Sequence, residues 1–266
     1  EALDFGLVQV QKRNDNRMRE VVVLTLDKMM ESPLHDHVDG GFFRFSSTPD
    51  WHTPNYEKLL DQNALLLRSY LEAFQVFGNE AYKKTAEGIV RWMLHTMRDE
   101  HSGGFAGSQD GEADYFIGDA EARAKKQAPA IDRTIYCDAN AIAISSLFKA
   151  SAVLQQPEWS EHGMAATRFL LENLLDGTTV HHYWDGTYHL AGMLADQAHL
   201  IRALIDTSQN TGDADLRTYE YHELLKSGFD LAIVTLGTNA AKRGTNDDDP
   251  HSSSAETPSR RAAKGE

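Results

Sequence analysis

Apolar positions recur at helical spacing in seven stretches of this chain, with polar residues filling the opposite faces. The first covers about 17–31, with Met18, Val21, Val22, Thr25 and Met29 on one face. The clearest covers 55–77, where Tyr56, Leu59, Leu60, Asn63, Leu66, Leu67, Tyr70, Leu71 and Phe74 form a continuous amphipathic stripe. The same spacing predicts helices over 80–97, 139–154, 158–175, 191–208 and 214 to about 234. No strand pairs are expected beyond short aromatic runs such as 42–45.

The connections alternate in length. Gly78-Asn79, 155–157 and 209–212 are tight turns rich in Gly, Asn or Pro, whereas 32–54, 98–137 and 176–190 are long. Antiparallel helices joined in this way carry every long loop at one end. Those loops hold the unusual residues, including Gly40-Gly41-Phe42 and, 63 residues later, Gly103-Gly104-Phe105. Such repetition is that of a helical hairpin followed by a functional loop. It predicts an all-α architecture, an (α/α) toroid or solenoid of antiparallel hairpins, over 1–237. From 238 to 266 the chain mixes Asn, Asp, Ser, Pro, Lys and Arg with almost no large apolar residues, so a disordered tail is expected. The chain opens on Glu1 rather than Met, as expected of a processed chain or a piece of a longer one.

Charge narrows the partners. The net charge of −14 opposes binding to a phosphate backbone, so nucleic acid is excluded. No apolar run approaches the ~20 residues of a membrane span, so the chain reads as soluble and no membrane partner is expected. Cys137 is the single cysteine; it permits neither an internal disulfide nor a Cys-x-x-Cys pair, which suits a reducing, cytoplasmic setting. No P-loop, dinucleotide fingerprint or nucleophile elbow is present, and no cofactor is expected.

Candidate chemistry gathers in the long loops. Sugar chemistry needs carboxylates or histidines for proton transfer and aromatic faces for the ring. The first loop offers His35, His37, Asp39, Arg44, Trp51, His52 and Glu57; the second offers Asp110, with Asp138 at the following helix start; the third region offers Trp184, Asp185 and Asp196. The bland alternatives are a helix N-terminal carboxylate for Asp138 and a turn for Asp185-Gly186. His35-x-His37 with Asp36, Asp39 and His52 is a conceivable metal set, and His181-His182 a weaker one. Neither has the helical His-x-x-x-His or Cys-pair spacing that would support it, so no metal is expected.

At these loops the sequence resembles the spermatogenesis-associated, thioredoxin-domain-containing family. Its run His-Asp-x-x-Gly-Gly-Gly-Phe-x-Arg-Tyr-Ser, then Trp-x-x-Pro-His-Phe-Glu-Lys-Met-Leu, is matched by His35 to Ser46 and Trp51 to Leu60. Its later Gly-Gly-Phe and Gln-Asp-Ala-Asp resemble Gly103 to Glu112, its Leu-x-Asp-Tyr-Ala resembles Leu194 to Ala198, and Asp132 to Asn140 is similar to another of its segments. The resemblance covers about 17–206 and implies a six-hairpin toroid related to N-acylglucosamine 2-epimerases and six-hairpin glycosidases. The sequence departs from the family at Asp39, Asn55, Gln62 and Ala139, where Gly, His, Asp and Trp are usual. The family's thioredoxin-like domain is not in this sequence, and the predicted helices are too few for a closed ring. A second copy of the chain, or that domain, is therefore an expected partner.

Together these readings give an incomplete toroid with a sugar pocket at its long-loop end. Asp39, His52, Glu57 and Asp110 are the candidate catalytic groups. His37, Arg44, Trp51, Asp138, Asn140, Trp184 and Asp196 are the candidate substrate contacts. The expected chemistry is epimerase-like proton transfer or glycoside hydrolysis, with a sugar or sugar derivative as ligand. The alternative is a non-catalytic helical binding module, favoured by the changes at Asn55, Gln62 and Ala139.

Overall fold

Tight turns fold successive helices back on one another. In this computed structural model, which describes residues 2–212, the principal helices are α1 (Ala2–Arg13), α2 (Asn16–Glu31), α3 (Leu60–Phe77) and α4 (Glu80–Trp92). Two short helices, α5 (Ala113–Phe116) and α6 (Ala120–Ala124), precede α7 (Cys137–Leu154), α8 (Glu158–Asn173) and α9 (Leu194–Thr211). The predicted helix at 214–234 and the predicted tail at 238–266 lie outside the described residues.

Local chemistry sets the hairpin turns. The Asp15 carboxylate caps α2 by accepting from the Met18 N–H, and Asn79 caps α4 through the Ala81 N–H. Gly78 ends α3 in the left-handed conformation at φ 66°, which glycine adopts without a Cβ clash. Helices α3, α7 and α9 lie side by side, with α7 at the centre and also packed on α8. Its small residues Ala141, Ala143 and Ala150 are fully buried and let neighbouring helices approach closely. By length and composition α7 could cross a membrane, but 72% of it is buried inside this fold, where it is the core helix.

Several boundaries differ from the sequence pattern. The amphipathic stripe suggests that α3 begins at 55, yet the chain is extended until Leu60. Short strands β1 (Phe45–Ser46), β2 (Pro54–Asn55) and β3 (Lys58–Leu59) occupy the approach, and the Leu60 N–H is drawn to the Gly107 carbonyl. Strand β3 pairs antiparallel with β4 (Ser108–Gln109), which pairs with β5 (Ile131–Asp132). Strand β6 (Ile135–Tyr136) leads into α7 and pairs with β8 (Thr179–Trp184), which also pairs with β7 (Leu175–Asp176) and β9 (Tyr188–Ala191). The β8–β9 hairpin contradicts the expectation of no strand pairs; its His-His-Tyr-Trp run carries no clean alternation of apolar and polar residues. Helix α1 is also absent from the sequence reading. On α2 it is Val22 and Leu26 that are buried, while Val21 turns outward.

Candidate functional site

Two asparagines build the loop end. The Asn63 amide, in the first turn of α3, accepts from the Phe42 N–H at 2.6 Å and donates to the Phe42 carbonyl at 2.9 Å and the Leu59 carbonyl at 3.0 Å. Asn140, in the first turn of α7, does the same with Phe105 and Tyr136, at 2.8, 2.9 and 2.9 Å. Each Gly-Gly-Phe motif is thereby clipped to the helix that follows it. Gly40 at φ 88° brings its backbone so close to α4 that a Cβ would lie 2.1 Å from the Gly88 carbonyl oxygen. Gly103, at φ 81°, meets Ala165 of α8 in the same way. Asn140, a candidate sugar contact in the sequence, is fully buried and spends its amide on this backbone clip.

Beneath the first loop lies a buried ion cluster. Lys58 and Asp36 have no exposed side-chain surface and meet at 2.6 Å, with the Gly40 carbonyl 2.7 Å from the ammonium. Arg123 of α6 donates to Asp36 and Asp39, at 2.9 and 2.7 Å. Burial pushes the Lys58 ammonium down to about 8, against the pull of Asp36. Burial favours a neutral Asp36, but Lys58 and Arg123 hold its carboxyl below the usual range. Arg123 also donates to the Phe116 and Gly118 carbonyls, tying the 113–124 segment onto the first loop. Asp39 is thus engaged by an arginine in this cluster.

The remaining acidic residues converge elsewhere. A cleft of about 310 Å³ opens where the first turns of α3 and α7 meet β4, β5 and β8. Its lining includes Asp61, Asp132, Tyr136, Asp138, Ala139 and His182. Helices α3, α7 and α9 all begin without a side-chain cap, and each carries an aspartate in its first turn: Asp61, Asp138 and Asp196. Carboxylates there face the positive ends of the helices. The fully buried Asp196 lies beneath the cleft. Its carboxylate accepts from the Asp138 N–H at 3.2 Å and sits 3.1 Å, through both oxygens, from Nδ1 of His182. Among the described residues no hydrogen bond engages the other ring nitrogen of His182, Nε2.

Burial raises the Asp196 carboxyl to about 6; His182 opposes that rise and the charge of Asp138 adds to it. Burial also raises Asp61, and Asp138 adds to that shift. Carboxylates in different environments at one site separate into proton holders and proton acceptors. Asp138, His182 and Asp196 each place a ligand atom within 4.8 Å of the others, which is also the spacing that could hold a metal ion.

The sequence-derived candidates divide around this cleft. Asp138 and Asp196 are brought together there. Glu57 pairs with Arg44 at 2.7 Å on the outer surface, and His52 is exposed, its Nδ1 2.7 Å from the Asp50 carbonyl. Asp110 is exposed, and its backbone N–H bonds to Ala130. His37 is exposed beside His35, with ring centroids 4.4 Å apart. Trp51, at φ 62°, packs partly buried on the core, and Trp184 meets Phe169 edge-on at 6.1 Å. Asp185 lies at the tip of the β8–β9 hairpin, 2.8 Å from His189. Asp61 is not among the sequence candidates, and His182 enters there only as half of the His181-His182 pair set aside as a weak metal set. The signal for Asp61 is its first-turn place on the strongest apolar stripe, shared with Asp138. The His181-His182 pair is a local signal, but nothing in the sequence joins His182 to Asp196, because a hairpin delivers it.

No protein-family model matches the sequence. Mouse spermatogenesis-associated protein 20 is 35% identical over 101 residues, which are 38% of this chain and 13% of that protein. A sugar epimerase from a ruminal bacterium superposes with a TM-score of 0.58 at 17% identity, covering 71% of this chain and 48% of its own. An inactive variant of an α-1,6-mannanase from a Salegentibacter species, solved with α-1,6-mannotriose, gives 0.59 at 17% identity, covering 82% and 58%. The fold is an (α/α) toroid. The chain spans about half the length of those structures.

Proposed function

We propose that the cleft between α3 and α7 binds a sugar and moves a proton on it, as an epimerase or isomerase does. The observation that carries this reading is the Asp196–His182 pair beside Asp61 and Asp138. A buried carboxylate held against Nδ1 orients the imidazole and leaves Nε2 as the proton acceptor toward the cleft. Asp61, which holds its proton more tightly than an ordinary carboxylate, is the matching donor. On this reading His182 takes the proton from a carbon next to a carbonyl, the electron pair moves to the carbonyl oxygen, and Asp61 protonates that oxygen. Return of the proton by His182 to the other face of the same carbon, with Asp61 taking back the oxygen's proton, completes epimerisation; its delivery to the former carbonyl carbon, with Asp61 taking the proton of the neighbouring hydroxyl, completes isomerisation.

Glycoside hydrolysis fits less well. It needs two carboxyls flanking the scissile bond, roughly 5–9.5 Å apart. Asp196 is buried beneath Asp138 and His182 and has no access to such a bond, so hydrolysis would fall to Asp61, Asp132 and Asp138 and leave the His182–Asp196 pair without a role. The sugar epimerase and mannanase relatives of the fold support a carbohydrate ligand without deciding between these chemistries. A binding module without catalysis is favoured by one observation: Ala139 lines the cleft, where the resembling family carries Trp, so a large wall is missing.

The reading is tested by thermal melts of the chain with D-mannose, cellobiose, N-acetylglucosamine and α-1,6-mannotriose. A sugar that binds the native state raises the midpoint. The expected result is a rise with at least one sugar that disappears in Asp138→Asn and His182→Ala, while both variants still melt cooperatively. A rise that survives both substitutions, or no rise with any sugar, contradicts it.

A further inference from the structure

A second cavity, of about 210 Å³, lies farther along the same three helices. Arg68 and Ser145, which line it, each follow the cleft aspartates Asp61 and Asp138 by seven residues, which is two helical turns or ~10 Å along the helix axes. Its charged lining is three cations and two carboxylates, and four of these are paired with one another, Lys149 with Glu72 at 2.5 Å and Arg202 with Asp206 at 2.9 Å, which leaves Arg68 as the excess charge. Arg68 is half-buried, and no hydrogen bond or ion pair engages it among the described residues. The Ser145 hydroxyl is buried, at 6% exposure for the residue, and has no hydrogen-bond partner. A buried hydroxyl without a partner is disfavoured unless something fills its vacant place.

We infer that this cavity is a binding site for a small oxyanion, the phosphate or carboxylate group of a ligand. The guanidinium of Arg68 offers a planar fork of N–H donors matched to two oxygens of such a group, and the Ser145 O–H supplies a further donor. A cation is disfavoured by Arg68, and a neutral ligand would leave that charge without a partner. The cavity makes no use of Asp138 or His182, so the inference stands apart from the chemistry of the upper cleft.

The test is calorimetric titration of the 266-residue chain with inorganic phosphate, glucose 6-phosphate and glucuronate, at an ionic strength held constant with sodium chloride. Saturable phosphate binding is expected, weakened at least tenfold in Arg68→Gln and in Ser145→Ala and unchanged in Asp138→Asn. Ser145→Ala removes an unpaired buried hydroxyl, so it is expected to melt no lower than the parent; its loss of binding then reports the site rather than the fold. Sugar-linked anions binding more than tenfold tighter than phosphate, with the gain lost in Asp138→Asn, identify the anion as part of the cleft's ligand. Equal affinities identify a free oxyanion. Phosphate binding that is not saturable, or that persists in both Arg68→Gln and Ser145→Ala, overturns the inference.

Discussion

Asn63 and Asn140 show how single residues set the geometry of this site. Each amide satisfies both backbone groups of a buried phenylalanine and adds a bond to the N-cap carbonyl of its helix, so Asn140→Ala is expected to destabilise the chain by roughly 2–4 kcal/mol. Urea denaturation measures this, and a loss below about 1 kcal/mol would mean that the Phe105 loop is held by other contacts. From sequence alone Asn63 looked like part of an apolar stripe and Asn140 like a sugar contact, because a first-turn asparagine gives no hint of where its amide points. Asp196 carries a second residue-scale prediction. In the folded chain it keeps its proton up to about pH 6, against an ordinary value of 3.8. The folded state therefore binds that proton more tightly. The resulting stabilisation is complete below pH 3.8 and lost as pH rises through about 6, worth about 3 kcal/mol. Asp196→Asn removes this dependence. Its stability relative to the parent should improve between pH 4 and pH 7 in urea melts at both values; a constant difference would show that Asp196 does not titrate there.

At the scale of elements, the loops are fixed by close backbone approach and by one ion cluster. Gly40→Ala forces a Cβ against the Gly88 carbonyl of α4 at a positive φ and should cost about 3 kcal/mol or more. Gly78→Ala, at a positive φ in open space, should cost only about 1 kcal/mol. Equal costs measured by thermal melts would place the first loop away from α4. Arg123→Met leaves Asp36 and Asp39 with one cation fewer and should cost about 3–5 kcal/mol, with earlier proteolysis in 113–124 as its local sign. The Gly-Gly-Phe repeat was legible because glycine at fixed spacing is a backbone requirement written in sequence. The cluster was only half legible. Asp39 stood out in its loop, but its partner Arg123 lies 84 residues away, and nothing local joins them.

Over the whole molecule, alternating short and long connections revealed helical hairpins with their loops at one end. Helical spacing found the principal helices apart from α1. The strands escaped because most are two residues long, too short for alternation to register. The cleft was legible in part: Asp138 and Asp196 were recognised, whereas His182 became meaningful only once β8 folded against the start of α9. Among the described residues, apolar side chains at Phe5 and Leu24 are exposed on the α1–α2 hairpin. We propose that the cleft of this fold is a proton-transfer site for a sugar. Its most direct test is to incubate the chain in D2O with D-mannose, D-glucose and cellobiose and follow deuterium incorporation beside the carbonyl carbon by NMR. Incorporation into at least one of these sugars is expected, abolished by His182→Ala and by Asp61→Asn. No incorporation above the buffer rate, or incorporation that both variants retain, would contradict it.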